Sequence, residues 1–552
     1  MRTGGEILID CLEAQGVDRV FCVPGESYLA VLDALHDARI DVVNARHEGG
    51  AAMMAEADGK MTGRPGIAFV TRGPGATNAA SGVHVAKQDS TPMILFVGQI
   101  GRRMKGREAF QEVDYRQTFR DLAKWVEEID HADRIPEVLS HAFHVAMSGR
   151  PGPVVIALPE DMLKDGAEAR PGPRVTVAAP APSAADVARF GAMLAAAERP
   201  VLLLGGSRWD AEAVEAARAF AETHDLPVAV TFRRQGLFDH DHQNYAGDLG
   251  IGPNPKLKAR VAGSDLLILL GGRLSEMPSQ GFSLLTTPAP QVPLVHVHPG
   301  AEEIGRIYAP ALGINATPGA FLEAVAGLPA RAGTGAAAEA HGEYLGWSGQ
   351  PPATPGAAEM GPIVSHLRAV APEAVVTNGA GNYATWVHRF WRFRDLHAQL
   401  APTSGSMGYG LPAAVAAKAR NKGREVICFA GDGCFQMTGQ EFGTLAQYGL
   451  NVIVLVVDNA AYGTIRMHQE RDYPGRVSAT RLVNPDFAAL ARAHGGHGER
   501  VEKTEDFPEA FARARASGKP AIVHILTDVE AISPTTTISA LRSRAGQAGK
   551  TA

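Results

Sequence analysis

An aspartate and an asparagine, each at the end of a short apolar run, are the residues of this chain best placed to do chemistry. The first run, residues 426–430, leads into Gly431-Asp432-Gly433. The second, residues 452–457, leads into Asp458-Asn459, so Asn459 falls 27 positions after Asp432. Both runs are short and rich in Val and Ile, as buried parallel strands are. In a parallel sheet both endings lie on one edge, at the carboxyl ends of the strands, where ligands of such sheets bind. The glycines let the backbone approach a ligand, and a helix expected over residues 435–448 would aim free N–H groups at it. Asp432 and Asn459 then bring two hard oxygens to one point. Mg²⁺ takes a few protein oxygens and completes its shell with phosphate and water, so the pattern points to a Mg²⁺–diphosphate site. Gly-Asp-Gly alone is also an ordinary turn of an α/β sheet. The spaced asparagine, with Tyr462-Gly463-Thr464-Ile465 after it, separates the two readings.

Positioning these residues takes a whole domain, and 552 residues suffice for about three domains of roughly 150 residues each. Residues 1–170 alternate strand-like and helix-like pieces: helices over 6–15, 28–36 and 49–62, strands over 20–22, 41–45, 66–71, 92–98 and 154–157. A Pro- and Ala-rich stretch then reads as a linker. Residues 186–329 repeat the layout, with strands over 201–204, 228–231, 266–270 and 294–297. Three of these end in Gly205-Gly206, Gly271-Gly272 and Pro299-Gly300, but no full GxGxxG appears. A Gly-, Ala- and Pro-rich second linker leads to residues 360–530, which hold the Asp432/Asn459 pattern. Residues 531–552 are polar and read as a mobile tail. The expected fold class is α/β, three doubly wound parallel-sheet domains.

Composition narrows the function classes. Hydrophobic residues are 45% and charged residues 20%, with a net charge of −6. That is an ordinary globular balance, with no basic surface for nucleic acid. The first residues lack the apolar core of a signal peptide, and no apolar run is long enough for a membrane span. The four cysteines show no CxxC spacing and suit a reducing cytosol, so a cytoplasmic protein is expected.

The motifs resemble those of thiamine-diphosphate enzymes of the acetolactate synthase, pyruvate oxidase and 2-oxo acid decarboxylase group, acetolactate synthase above all. The resemblance covers about residues 1–530. It implies a pyrimidine-binding domain first, a central domain second and a diphosphate-binding domain third. It assigns Asp432 and Asn459 as side-chain Mg²⁺ ligands and the Ala461 carbonyl as a backbone ligand. Around them it places Gly431, Gly433, Cys434, Tyr462, Gly463, Thr464 and Ile465 against the cofactor. Gly405-Ser406-Met407-Gly408 resembles a GTMG element, in which the Gly405 carbonyl accepts the cofactor's amino group and Met407 wedges the cofactor into its bent shape. Gly381, Asn382 and Tyr383 stand where the family touches the diphosphate. Glu48, in Arg46-His47-Glu48, matches the glutamate that hydrogen-bonds the aminopyrimidine ring and so helps remove the thiazolium C2 proton. Without the resemblance, Glu48 reads equally as a helix N-terminal carboxylate set against the dipole. Glu56 reads as structural. Pro74 and Asn78, in Gly-Pro-Gly-Ala-Thr-Asn, are placed beside the cofactor of the partner subunit, so a homodimer or homotetramer with the site at the interface is implied.

For substrate, the resemblance sets Phe110 and Gln111 in the pocket, with His468 where the synthase has a tryptophan that selects its second 2-oxo acid. Arg72, Arg233-Arg234 and His298 also depart from the synthase pattern, which bears on the acceptor and on flavin adenine dinucleotide (FAD). The expected activity is carboligation: a 2-oxo acid loses CO₂ and its acyl unit joins a carbonyl acceptor. The alternatives are a decarboxylase or 2-hydroxyacyl lyase releasing an aldehyde, and a flavin- or nicotinamide-dependent oxidoreductase. A non-catalytic homologue is disfavoured by the intact Glu48, Asp432 and Asn459.

Overall fold

Runs of Val, Ile and Leu that are buried on both faces build three six-stranded sheets, each parallel throughout. The computed structural model describes residues 1–548, with side chains as far as 545. The first sheet holds β1 (Arg19–Cys22), β2 (Asp41–Asn44), β3 (Gly66–Val70), β4 (Met93–Gln99), β5 (Trp125–Glu128) and β6 (Pro153–Pro159), in the order β2-β1-β3-β4-β6-β5. The second holds β7 (Pro200–Leu204), β8 (Val228–Thr231), β9 (Tyr245–Leu249), β10 (Leu266–Leu270), β11 (Leu294–His298) and β12 (Leu312–Asn315), in the order β9-β8-β7-β10-β11-β12. The third holds β13 (Val375–Asn378), β14 (Gln399–Leu400), β15 (Val426–Gly431), β16 (Ile453–Asp458), β17 (His497–Val501) and β18 (Ala521–Leu526), in the order β14-β13-β15-β16-β18-β17. Each order doubles back, the signature of a doubly wound sheet with its ligand crevice at the reversal. Among the described residues no helix is long and apolar enough to cross a membrane.

The chain forms two compact units, Met1–Ala178 with Val415–Arg420, and the rest. The second and third sheets thus share one unit. They are joined by Gln235 and Gln399, whose amides bond each other at 2.8 Å, and by Arg233, which donates to the Pro402 carbonyl. Arg233 is therefore tied into this junction, buried and stacked over Phe232 at 4.7 Å.

In the first unit, α1 (Glu48–Thr62) packs on α2 (Pro74–Asp89) through glycine and alanine: a Cβ on Gly82 would meet Ala52 Cβ at 2.4 Å. Glu56 is fully buried and structural, accepting from Thr91 Oγ1 at 2.6 Å. In the central sheet the loops after β7 and β10 touch: a Cβ on Gly206, at φ +71, would lie 1.7 Å from the Gly271 carbonyl oxygen. His298 is buried beside them, its Nδ1 bonded to the Gly300 backbone, and burial pushes it down to about 4.

Three expectations are corrected. The Gly/Ala/Pro-rich stretch after residue 330 is not only linker. It contains α3 (Ala336–Ser348), whose Tyr344 packs edge-on against Tyr245 at 4.7 Å. The single helix expected over 435–448 is two, α4 (Asp432–Gln436) and α5 (Phe442–Gln447). They are parted where Thr438 Oγ1 leaves the helical register to donate to the Gly408 carbonyl at 2.6 Å. The polar stretch expected as a mobile tail, residues 531–552, carries α7 (Ile538–Ala548), laid along α6 (Gly463–Asp472), and its last four positions lie outside the described residues. Polarity misled there because the anchors are few, the buried Ile532 and Ile538 and a pair of charges. Arg542 reaches the fully buried Glu470 with two hydrogen bonds of 2.7 and 2.9 Å.

Candidate active site

The carboxyl ends of β13, β15 and β16 open onto one cavity of about 230 Å³. Asp432 and Asn459 both line it, as do Gly431, Gly433, Cys434 and Ala461. Asp432 opens α4 directly after β15, and β15 pairs with β16 up to Gly431 and Val457. The register alone thus brings the two strand ends together. Tyr462, Gly463, Thr464 and Ile465 line the same cavity as the first turn of α6. That turn has no side-chain cap, so its first N–H groups are free to meet an anion. At two of these positions a side chain would displace a neighbour that lines the cavity. A Cβ on Gly433 would sit 2.6 Å from the Tyr462 ring, and one on Gly463 2.8 Å from Asn459 Nδ2.

The opposite wall comes from two loops. Gly405 and Met407 lie in a turn with left-handed glycines at 405 and 408 (φ +69 and +80), and Met407 rests half-buried against the domain core. Gly381, Asn382 and Tyr383 follow β13. Asn382 Oδ1 accepts from Thr464 Oγ1 at 2.9 Å, tying this loop to α6. The Tyr383 hydroxyl accepts from the Gly379 N–H at 3.1 Å and lies 3.3 Å from Cys434 Sγ. Burial holds Tyr383 protonated.

A divalent cation and a diphosphate fit this donor set. Asp432 is only 3% exposed, yet the bonds it accepts come from neutral donors, the Gly433 N–H at 2.9 Å and Asn484 Nδ2 at 2.7 Å. Burial, reinforced by the nearby Asp458 carboxylate, pushes Asp432 up to about 6 against the pull of those two bonds. A buried carboxylate in this state calls for a cation. Asn459 supplies a neutral oxygen beside it, and the bare start of α6 supplies the anion's donors. Asp458 is buried and pairs with His524 Nε2 at 2.8 Å.

Sequence reasoning missed Thr527, Ala531 and Ile532, which line the cavity after β18, and Asn484, which bonds Asp432. The signal for the first group was present. The apolar run Ala521–Leu526 is a buried parallel strand whose carboxyl end must reach the same sheet edge. Asn484 had no such signal, since it comes from an irregular loop 52 positions away. His468 sits half-buried on α6 but outside the residues lining the cavity.

In the first unit, Glu48 begins α1, which His47 caps by accepting the Gly49 N–H at 3.0 Å. Glu48 Oε2 accepts from Asn78 Nδ2 at 3.0 Å, and Pro74 opens the helix that carries Asn78. Phe110 is 74% exposed, and Gln111 holds φ +66 against Gly73. Arg72 is buried and spoken for: it bonds Glu26 and Glu160 at 3.0 Å each, and the Phe110 carbonyl.

Family models describe the same three domains. Those of the thiamine pyrophosphate enzymes match residues 2–118 (N-terminal TPP binding domain), 187–325 (central domain) and 379–525 (C-terminal TPP binding domain). The chain therefore belongs to the thiamine pyrophosphate enzymes, and within them it is acetolactate synthase-like. It is 33% identical over 550 residues to the acetolactate synthase of Mycobacterium bovis, covering 96% of this chain and 88% of that one. Against the acetolactate synthase large subunit of Parasynechococcus marenigrum it is 33% identical over 542 residues, 95% of this chain and 87% of the other. Against the isozyme 2 large subunit of Escherichia coli it is 31% identical over 530 residues, 95% of each.

Proposed function

We propose that the chain is a Mg²⁺- and thiamine-diphosphate-dependent carboligase acting on a 2-oxo acid. The observation that carries this is the buried Asp432 beside Asn459 at the ends of two adjacent strands, with the uncapped start of α6 facing the same cavity. Full-length similarity to acetolactate synthases supports the reaction class. Bound thiamine diphosphate supplies the carbon nucleophile and electron sink. In this reading Asp432, Asn459 and the Ala461 carbonyl hold Mg²⁺, and the N–H groups of Gly463, Thr464 and Ile465 hold the diphosphate. Met407 presses on the cofactor from the opposite wall. Glu48 manages the proton on the aminopyrimidine, and Asn78 keeps its carboxylate in place. The donor's carboxyl carbon leaves as CO₂, the acyl carbon bonds to the acceptor's carbonyl carbon, and the acceptor oxygen takes up a proton.

The assembly in this reading is a homodimer or homotetramer in which each subunit's Glu48 serves its partner's cavity. Exposed apolar side chains support it, among them Phe110, Ile465 and Val483. Phe110, Gln111 and His468 are the proposed determinants of substrate choice.

The test is a mass-spectrometric product screen with thiamine diphosphate, Mg²⁺ and a panel of 2-oxo acids. Coupled 2-hydroxy ketones or acids are expected. Free aldehyde alone would overturn carboligation in favour of simple decarboxylation. No CO₂ from any donor would overturn the whole reading.

A further inference from the structure

Behind the two strand ends lies a chain of hydrogen bonds that reaches Asp432 directly and the turn carrying Asn459 and Ala461 through the Ala460 N–H. It starts at His524 on β18, which is 2% exposed and stands edge-on to Phe487, ring centroids 5.0 Å apart. Its Nε2 donates to Asp458 Oδ2 at 2.8 Å, while its buried Nδ1 has no partner. A carboxylate only accepts, so the proton sits on Nε2.

Asp458 passes this anchoring on in two directions through its other oxygen. Oδ1 accepts the Ala460 N–H at 2.8 Å. Ala460 holds φ +52, a left-handed conformation that strains an alanine, and it lies between Asn459 and Ala461. The bond to Asp458 offsets that strain and fixes the turn that aims both ligands. The same Oδ1 accepts from Asn484 Nδ2 at 2.8 Å, and the second hydrogen of that amide goes to Asp432 Oδ2 at 2.7 Å. One neutral amide thus separates two buried carboxylates and satisfies both. Asn484 is itself oriented, its Oδ1 accepting from Gln436 Nε2 at 2.9 Å.

We infer that His524, acting through Asp458 and Asn484, is the positioning residue for the divalent-cation site formed by Asp432, Asn459 and Ala461. The inference rests on the proposed metal reading. It makes His524 responsible for cation affinity rather than for the chemical step, because it touches only groups that hold ligands. Partners at this remove from a metal commonly contribute about 10–100-fold in affinity.

The experiment measures Mn²⁺ binding to the full chain with thiamine diphosphate, by electron paramagnetic resonance of the free ion, and half-saturating Mg²⁺ in turnover. His524→Phe keeps the ring's bulk and deletes the donor. It should weaken Mn²⁺ binding about 10–100-fold and raise half-saturating Mg²⁺ equally, with kcat at saturating Mg²⁺ within about threefold of the parent. His524→Gln restores an N–H near the same place and should recover most of the affinity. A folded His524→Phe protein that binds Mn²⁺ like the parent overturns the inference. So does one that loses kcat at saturating Mg²⁺ with affinity unchanged. If His524→Phe fails to fold, Asn484→Ala decides: the same loss supports the network, parental affinity refutes it. Asp432→Asn separates the two levels. If it abolishes Mn²⁺ binding while His524→Phe does not, the metal site stands and the positioning role falls. If it too binds normally, the metal reading falls and takes the inference with it.

Discussion

Asn78 Nδ2 donates to Glu48 Oε2 at 3.0 Å, linking two helices that belong to different motifs in the sequence. The bond leaves Glu48 Oε1 uncommitted to Asn78 and holds the carboxylate by one oxygen. Glu48→Gln preserves shape and can still hydrogen-bond a pyrimidine ring, but it cannot exchange a proton. We expect cofactor affinity near the parent's and turnover down by about 10²–10⁴-fold. Calorimetry and quenched-NMR measurement of C2 hydrogen–deuterium exchange check this. Parental exchange would remove Glu48 from the chemistry, and collapsed affinity would make it a binding residue.

Asp432→Ala should abolish retention of thiamine diphosphate with Mg²⁺ while the circular dichroism spectrum stays that of the parent. The remaining neutral oxygens of Asn459 and Ala461 are too few to bridge Mg²⁺ to a diphosphate. Unchanged calorimetric binding of cofactor plus Mg²⁺ would sink the assignment.

Glu470 sets the acid stability of α7. Its bonds to Arg542, with lesser help from the Gly475 N–H and Arg466, hold it down to about 2 despite burial, against 4.5 for a free glutamate. The folded value lies below the unfolded one, so this anchoring is complete above about pH 4.5 and fades as pH falls toward 2. Hydrogen exchange in residues 538–545, corrected for intrinsic rate, should therefore quicken between pH 5 and pH 3. Arg542→Ala should quicken it already at neutral pH, though modestly, because Arg542 is 45% exposed and its ion pair is screened by solvent. Equal protection in both proteins at neutral pH would show that the apolar anchors alone dock the helix.

Gly206→Ala should cost about 2–4 kcal/mol of unfolding free energy, read from denaturant midpoints, because both the left-handed backbone and the Gly271 carbonyl oppose a Cβ. Cofactor binding by the folded fraction should be unchanged. A loss under about 0.5 kcal/mol, the range of ordinary surface changes, would mean the two loops separate readily.

Sedimentation should show at least a dimer as the active species, with specific activity falling on dilution into the monomer range. A fully active monomer would refute a shared site.

What could be read from the sequence follows burial. β7, β8, β10, β15 and β16 sit inside their sheets, covered on both faces, and their unbroken apolar runs announce them. The strands that escaped notice include β5 (WVEE) and β17 (HGERV), edge strands that are partly exposed, and β9 (YAGDL), an edge strand that α3 covers but whose Gly and Asp break the apolar run. The site shows the same division. Residues that face the ligand cavity sit in turns with strict steric demands, such as Gly433 and Gly463, and so leave motifs. Asn484 and His524 act from behind, through side-chain bonds that any of several spacings could supply, so no local pattern marks them. The tail misled for a related reason, since a single ion pair into a buried glutamate does not alter the polarity of a segment.

Asn484 has a further property, concerning how the protein ages. An asparagine deamidates when the next residue's backbone nitrogen attacks the side-chain amide to close a succinimide. Asn484 is followed by Pro485, whose nitrogen carries no hydrogen and cannot take that route. Conversion to aspartate here would set a third carboxylate against Asp432 and Asp458 and eject the two bonds that keep them apart. The proline guards an amide whose slow chemical decay would turn a cation site into a cluster of repelling charges.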